Sequence, residues 1–284
     1  MANASEALLI GSLDYFQWDR MNVLIVVSCL LGLLLYFIFS ARSGKELFIR
    51  RMSGLSAIED AVGRATEMGR GVLYIPGIND IKDIQTLSGI TILSHVARQT
   101  AELQTPLFCP IRYPFTMTVA QEVVRQAYIE KNRLEFYRSD RINYLTADQF
   151  GYVAGVSGLI SREKPAACFY LGAFFAESLI LAETGFAAGA IQIAGTAEVD
   201  QLPFFVVACD YTLIGEELFA ASAYLSRNPK EVGALKGQDV SKGFIILAIL
   251  VGCALMTLAQ LPIGKQYPSV KGIGERFAGF FQAK

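Results

Sequence analysis

Histidine is almost missing from this 284-residue chain, in which His95 stands alone. A single imidazole argues against a Ser-His-Asp hydrolase. Ser157 agrees, because its context G-V-S-G is not the G-x-S-x-G turn that exposes a nucleophile. Cysteine is sparse, at five, and no pair has C-x-x-C spacing. Cys29 and Cys253 lie in long apolar runs, and Cys109, Cys168 and Cys209 fall in expected buried strands, so zinc, iron-sulfur and disulfide readings lack support. No G-x-G-x-x-G follows the first expected strand and no G-x-x-x-x-G-K-[ST] occurs, which removes the main support for dinucleotide and P-loop readings. An excess of basic charge is also missing. Lys and Arg number 25 against 26 Asp and Glu, for a net charge of -1, so a nucleic-acid partner is excluded.

What the chain has is apolar surface. Hydrophobic residues make up 53% and mean hydropathy is +0.39, too high for disorder and high for a wholly soluble protein. Two uncharged stretches, residues 22–40 and 243–261, have 19 residues each, enough for about 28 Å of helix and therefore for a bilayer core. Arg42, Lys45, Arg50 and Arg51 follow the first, whereas Glu6, Asp14, Asp19 and Arg20 precede it. Arg227, Lys230, Lys236 and Lys242 lead into the second, against Lys265, Lys271 and Arg276 beyond it. The positive-inside bias then predicts two crossings of the cell inner membrane with both termini outside. The segments are an external 1–21, a transmembrane helix 22–40, a cytosolic domain 41–242, a transmembrane helix 243–261 and an external tail 262–284. Without a basic n-region or an A-x-A site, the first run reads as a retained anchor.

Tyr15, Phe16, Trp18 and Tyr267 would form an aromatic belt at the outer interface. Ile273, Phe277, Phe280 and Phe281 recur at helical spacing beside Lys271, Arg276 and Lys284, the pattern of an interfacial amphipathic helix or of a partly ordered tail. Ser28 with Gly32, and Ala248 with Gly252, offer small faces for close helix approach.

Between the apolar runs the period alternates. Ser56 with Glu59 makes a capping-box signal for a helix that ends at Gly69 and Gly71. GVLYIP (71–76), TPLFCPI (105–111), INYLT (142–146), AACFYL (166–171), AIQIA (190–194) and FFVVAC (204–209) read as strands. The intervening helices open near Thr86, at Thr118 with Gln121, and at Thr146 with Gln149. Continuous apolar strands joined by helical crossovers predict an α/β fold with a mainly parallel, Rossmann-like sheet of about six strands between the two transmembrane helices. A pair of membrane helices over 166–197 is the competing reading, and it would place Glu177 and Glu183 in hydrocarbon.

The run RRMSGLSAIEDAVGRATEMGRGVLYIPGI (Arg50 to Ile78), with GTAEVDQLPFF (Gly195 to Phe205), resembles an uncharacterised prokaryotic membrane-protein family of unknown function. The likeness covers about Lys45 to Ala259. It implies a membrane-tethered cytosolic domain and brings no substrate, cofactor or catalytic residue.

Open α/β sheets bind ligands beyond the carboxyl ends of their strands. The candidate ligand-binding residues are therefore Gly77, Asn79, Asp80, Glu177, Thr196, Glu198 and Asp210, with Arg112 and Tyr211 nearby. Their carboxylates favour ribose hydroxyls, an amine or a hydrated cation over phosphate, although for any one of them helix N-capping or solvation is the first reading. Gly151, Gly155 and Gly158 suit helix-sheet packing better than phosphate approach. His95, near Thr91 and Arg98, is a candidate lone base or a partly buried structural residue. The function expected is a membrane-anchored scaffold or assembly subunit with the lipid bilayer as partner, either a homo-oligomer or part of a larger membrane complex. The alternative is a nucleotide- or small-metabolite-binding domain, perhaps an enzyme, using the acidic rim. No cofactor or metal ligand set is identified.

Overall fold

The computed structural model describes residues 21–43 and 53–260, with Gly272 and Gly279. In chain order its elements are α1 (Met21–Arg42), α2 (Ser53–Glu67), β1 (Val72–Ile75), α3 (Ile84–Leu103), β2 (Leu107–Ile111), α4 (Pro114–Glu130), β3 (Ile142–Tyr144), α5 (Gln149–Glu163), β4 (Ala167–Leu171), α6 (Ser178–Ala187), β5 (Ile191–Thr196), α7 (Leu202–Ala208), β6 (Tyr211–Ile214), α8 (Glu216–Ser226) and α9 (Pro229–Gln260). They form two compact units, one of Ile49–Arg227 and one of Met1–Phe48 with Asn228–Lys284. The expected aromatic belt and the amphipathic tail from Lys271 to Lys284 lie outside the described residues, apart from those two glycines.

In the larger unit all six strands are parallel, in the order β3-β2-β1-β4-β5-β6. The succession reverses between β1 and β4, which makes their carboxyl ends the topological switch point. Side chains alternate across the sheet. Val72 and Tyr74 of β1 join a core with α2, α3, α4 and α8, while Leu73 and Ile75 join one with α5, α6 and α7. Burial on both faces is why β1, β2, β4 and β5 read as nearly unbroken apolar runs. On the second face Phe205 stacks on Tyr170 at 6.0 Å and meets Phe174 edge-on at 5.3 Å, contacts that contribute about 0.5–1.5 kcal/mol each beyond burial.

The α/β expectation holds, with local corrections. FFVVAC is helical: α7 opens at Leu202-Pro203, proline being favourable in a first turn, and the sixth strand is Tyr211–Ile214 instead. Ser56 lies within α2, which already begins at Ser53, so its pairing with Glu59 is not a capping box. The Pro114 ring starts α4 four residues ahead of Thr118. Asp83 and Asp148 cap α3 and α5 by accepting from Gln85 N and Gly151 N. Residues 166–197 form β4, α6 and β5, not a pair of membrane helices.

The switch point is a seam of backbone. Ile78 N donates to Ala173 O across it at 2.9 Å, and Gly172 N donates to Gly195 O at 2.9 Å. Gly77, at φ +87°, packs so closely that a Cβ would stand 2.7 Å from Ala173 N. A Cβ on Gly172 would strike Pro76 O, and one on Gly89 of α3 would strike Leu171 O. Tyr74 Oη donates to Gly89 O from beneath, fixing α3 on the seam.

In the smaller unit α1 has 22 residues and α9 has 32, about 33 and 48 Å at 1.5 Å per residue. Both are long and apolar enough to cross a membrane. α9 runs unbroken through position 242, so its apolar stretch has no separate helical start. Close approach occurs at Gly233 and Gly237, where a Cβ would meet Ile38 Cα at 2.7 Å and Leu34 Cα at 3.1 Å. The expected small faces behave differently. Gly32 has nothing within 4 Å of a built Cβ, and Ala248 and Gly252 line an apolar groove of about 750 Å³ shared with Ile25, Cys29 and Phe244.

Gly89→Ala should destabilise the α/β unit by about 1–3 kcal/mol of overpacking, or more because the obstacle is backbone. Gly158→Ala, on an open face of α5, should raise stability by about 0.5–1 kcal/mol. Unfolding followed by circular dichroism checks both; a neutral Gly89→Ala would contradict the seam.

Candidate functional site

Beyond the seam, the carboxyl edge is knitted by one amide. Gln85, in the first turn of α3 and 7% exposed, donates through Nε2 to Glu198 Oε1 at 2.7 Å. Its Oε1 accepts from Ala197 N at 2.8 Å and Thr196 Oγ1 at 3.3 Å. Thr196 Oγ1 in turn accepts from Glu198 N at 3.2 Å. The segment after β5 is thus held by the helix that follows β1. Asn79 donates to Asp83 Oδ2 at 2.7 Å, and Asp80 Oδ1 accepts from Ile81 N at 2.8 Å and Thr116 Oγ1 at 3.2 Å. Arg112 donates to Ala147 O and Ile78 O, at 2.9 and 3.3 Å, and lies over the Tyr113 ring.

Six of the seven candidate residues therefore share one edge: Gly77, Asn79, Asp80, Glu177, Thr196 and Glu198. Their geometry divides them. Glu177 is fully buried, accepting from Phe175 N at 2.7 Å and from Gln149 Nε2 at 2.5 Å, so its carboxylate braces the loop after β4. Thr196 is buried too, and Gly77 is filled by Ala173. Asp80 and Glu198 keep partial exposure. Asp210 is not on this edge. Because the sixth strand begins at Tyr211, Asp210 precedes it at the amino end of the sheet, where Oδ2 accepts from Gln192 N at 2.7 Å. Tyr211 moves with it. The edge can orient hydrogen bonds, but its carboxylates are already engaged, and the N-terminus of α3, where a dinucleotide phosphate would sit in a Rossmann fold, is capped by Asp83.

Sequence reasoning missed Gln85 and Asp83. Asp83 had a legible signal, an Asp immediately before an apolar-periodic run. Gln85 had none. Of the three α5 glycines, a Cβ on Gly155 would stand 3.1 Å from Leu145 Cδ1 and one on Gly151 3.2 Å from Thr146 Cγ2, whereas Gly158 faces open space, so the helix-sheet packing expected of the trio does not extend to Gly158. Among the described residues no three His, Cys, Asp or Glu side chains gather as a metal site.

His95 lies away from this edge, midway along α3. Its Nε2 is 3.6 Å from Glu59 Oε1 and 3.3 Å from Gln99 Nε2. Burial pushes the imidazole below its ordinary 6.5, with Arg98 and Lys131 adding to the effect and Glu59 opposing it. Desolvation raises the Cys109 thiol strongly and pushes Cys168 and the half-buried Cys209 up to about 12, which disfavours the reactive thiolate.

Residues 11–267 match a family model described as Domain of unknown function (DUF6754). Among curated proteins and among solved structures nothing matches.

Gln85→Ala should cost about 1–3 kcal/mol, because it strips partners from Glu198 and Ala197 N at once; chemical denaturation reads it, and a neutral result would remove Gln85 as the organiser. For His95, a folded value below the unfolded 6.5 means that the unfolded chain holds the proton more tightly. This contribution is present above pH 6.5 and fades as pH falls below it. The thermal midpoint of His95→Gln should therefore fall less than that of the parent chain between pH 7.5 and 5.

Proposed function

We propose that this chain, which belongs to the domain of unknown function DUF6754 family, is a membrane-anchored scaffold or assembly subunit that presents its α/β unit to the cytosol. The observation that carries this reading is the closed switch point. In a doubly wound sheet the ligand crevice lies between the strands where the order reverses. Here that crevice is filled by the Ile78–Ala173 backbone bond and by α3 standing on it through Gly89. A sheet that gives its ligand edge to internal bonding is suited to offering a rigid outer surface.

The proposed anchor is α1 and the apolar part of α9, crossing the cell inner membrane with both termini outside. The basic groups after residue 40 and before residue 243 support that orientation. The Gly233 and Gly237 approach supports a stable helix pair. Assembly, as a homo-oligomer or within a larger membrane complex, would then also need an interface on the α/β unit, about 800 Å² per partner for a standard contact.

A ligand-binding reading retains one favourable observation: Asp80 and Glu198 stay partly exposed beside one another's elements on the carboxyl edge. It predicts a thermal shift with a nucleotide or divalent ion that is lost in Asp80→Asn and Glu198→Gln.

Mass measurement of the full chain in native nanodiscs, paired with cysteine labelling in intact cells, tests the proposal. The expected outcome is a mass above one chain, with Arg133→Cys and Lys230→Cys on a Cys-less background unlabelled from outside. A monomer that binds a nucleotide tightly would overturn the scaffold reading, and labelling of either position from outside would overturn the topology.

A further inference from the structure

The two helix layers on the sheet differ in charge. On one, Arg98 pairs with Glu130 at 2.7 Å, Lys131 with Glu102 at 2.6 Å and Arg125 with Glu122 at 3.4 Å, across α3, α4 and the residue that ends α4. On the other, α6 holds one charged residue, Glu183, α7 holds none, and α5 holds none before Arg162 in its last turn. This second layer exposes apolar side chains instead. Leu179, Ile180 and Phe186 of α6 and Phe204, Val206 and Val207 of α7 are 42% to 88% exposed.

These side chains adjoin one another. Ser157 Oγ meets Thr184 Oγ1 at 3.4 Å between α5 and α6, and Ser178 Oγ donates to Gln201 Oε1 at 2.7 Å where α7 begins, so the three helices stand side by side. At about 100° per residue, a Thr184 turned to α5 leaves Leu179 and Phe186 on the α7 flank of α6, with Ile180 facing outward. Burial of Phe205 turns Phe204, Val206 and Val207 away from the sheet. Together the six expose on the order of 700 Å², more than the roughly 300–600 Å² of the largest patch on a typical monomer and close to the roughly 800 Å² that each partner gives a standard specific contact.

The rest of the layer has the complementary shape. Opposite its buried Tyr152, Val153, Val156 and Ile160, α5 presents Gly151, Ala154, Gly158 and Ser161, a low, uncharged strip beside the tall side chains of α6 and α7. A twofold contact repeats each pairing in both directions. Tall side chains of one copy therefore meet the low strip of the other, and the reverse. Other occupants fit less well. An anionic leaflet recruits Lys and Arg, and residues 165–226 contain neither. Glu183, alone on the three outward helix faces, gives a basic partner little to hold.

We infer that the layer of α5, α6 and α7 is the surface on which a second copy of this chain docks. The inference rests on the scaffold reading and names the face that assembles.

Sedimentation equilibrium of the full chain in mild detergent, over a series of protein concentrations, tests it. The parent chain should show a monomer–dimer equilibrium. Phe186→Ser with Val207→Ser should weaken it by about tenfold or more with the thermal midpoint retained. Gly158→Arg should do the same from the low strip, and because nothing lies within 4 Å of a Cβ built at Gly158 the folded chain accommodates it. Glu183→Gln should tighten the dimer, since the contact strips water from that carboxylate. A dimer unmoved by the Ser and Arg variants would overturn the inference while leaving assembly through another face. A weaker Glu183→Gln dimer would overturn it as well, by showing that the carboxylate meets a cation. A parent chain that stays monomeric would overturn it outright, and the thermal shift with a nucleotide then bears separately on the scaffold reading.

Discussion

The larger unit depends on how closely backbone can approach backbone between β1 and β4. These strands pair from Val72 with Ala167 to Ile75 with Tyr170, and beyond them the chain turns sharply at Gly77 and Gly172. Only residues without a Cβ fit at Gly77, Gly89 and Gly172, where the neighbours are carbonyl and amide groups that cannot swing aside. Once the seam is shut, the first turn of α3 is fixed over it. The amide of Gln85 then reaches the segment after β5, and Thr116 reaches Asp80 from α4. The polar order of the carboxyl edge follows from apolar and steric facts beneath it.

The smaller unit uses the same device. Gly233 and Gly237 allow α9 to meet the α1 backbone at Leu34 and Ile38, where β-carbons would hold the helices apart. Farther along, Phe244 and Ile25 help line a groove between the same helices. Close packing is thus concentrated in the charged half of α9 and not in its apolar half.

Much of this was legible in residue patterns, and the failures are local. Strands buried on both faces announce themselves as apolar runs, so β1, β2, β4 and β5 stand within two residues of where GVLYIP, TPLFCPI, AACFYL and AIQIA place them. FFVVAC carries the same signal but lies in the short helix α7, where Phe205 alone is buried, because periodicity cannot separate helix from strand over six residues. That one shift carried Asp210 to the opposite end of the sheet. Gln85 was invisible because an uncharged amide in a first helical turn looks like any solvated polar residue. Gly233 and Gly237 escaped because they lie among Lys230, Glu231 and Lys236, where hydropathy draws no attention. Glu177 was legible as a strand-end carboxylate, yet only the structure distinguishes a buried brace from an open ligand.

The β1–β4 pairing also sets a timetable. Val72 and Leu171 are about a hundred residues apart, so at 5–20 residues per second a ribosome needs roughly 5–20 s to deliver the second strand after the first. β2 can cover one side of β1 early, through α3. The other side stays an open strand edge, with its amides and carbonyls unpaired, until β4 emerges. During that interval the β4-facing backbone of β1 is an unpaired edge of the kind that another chain can pair with.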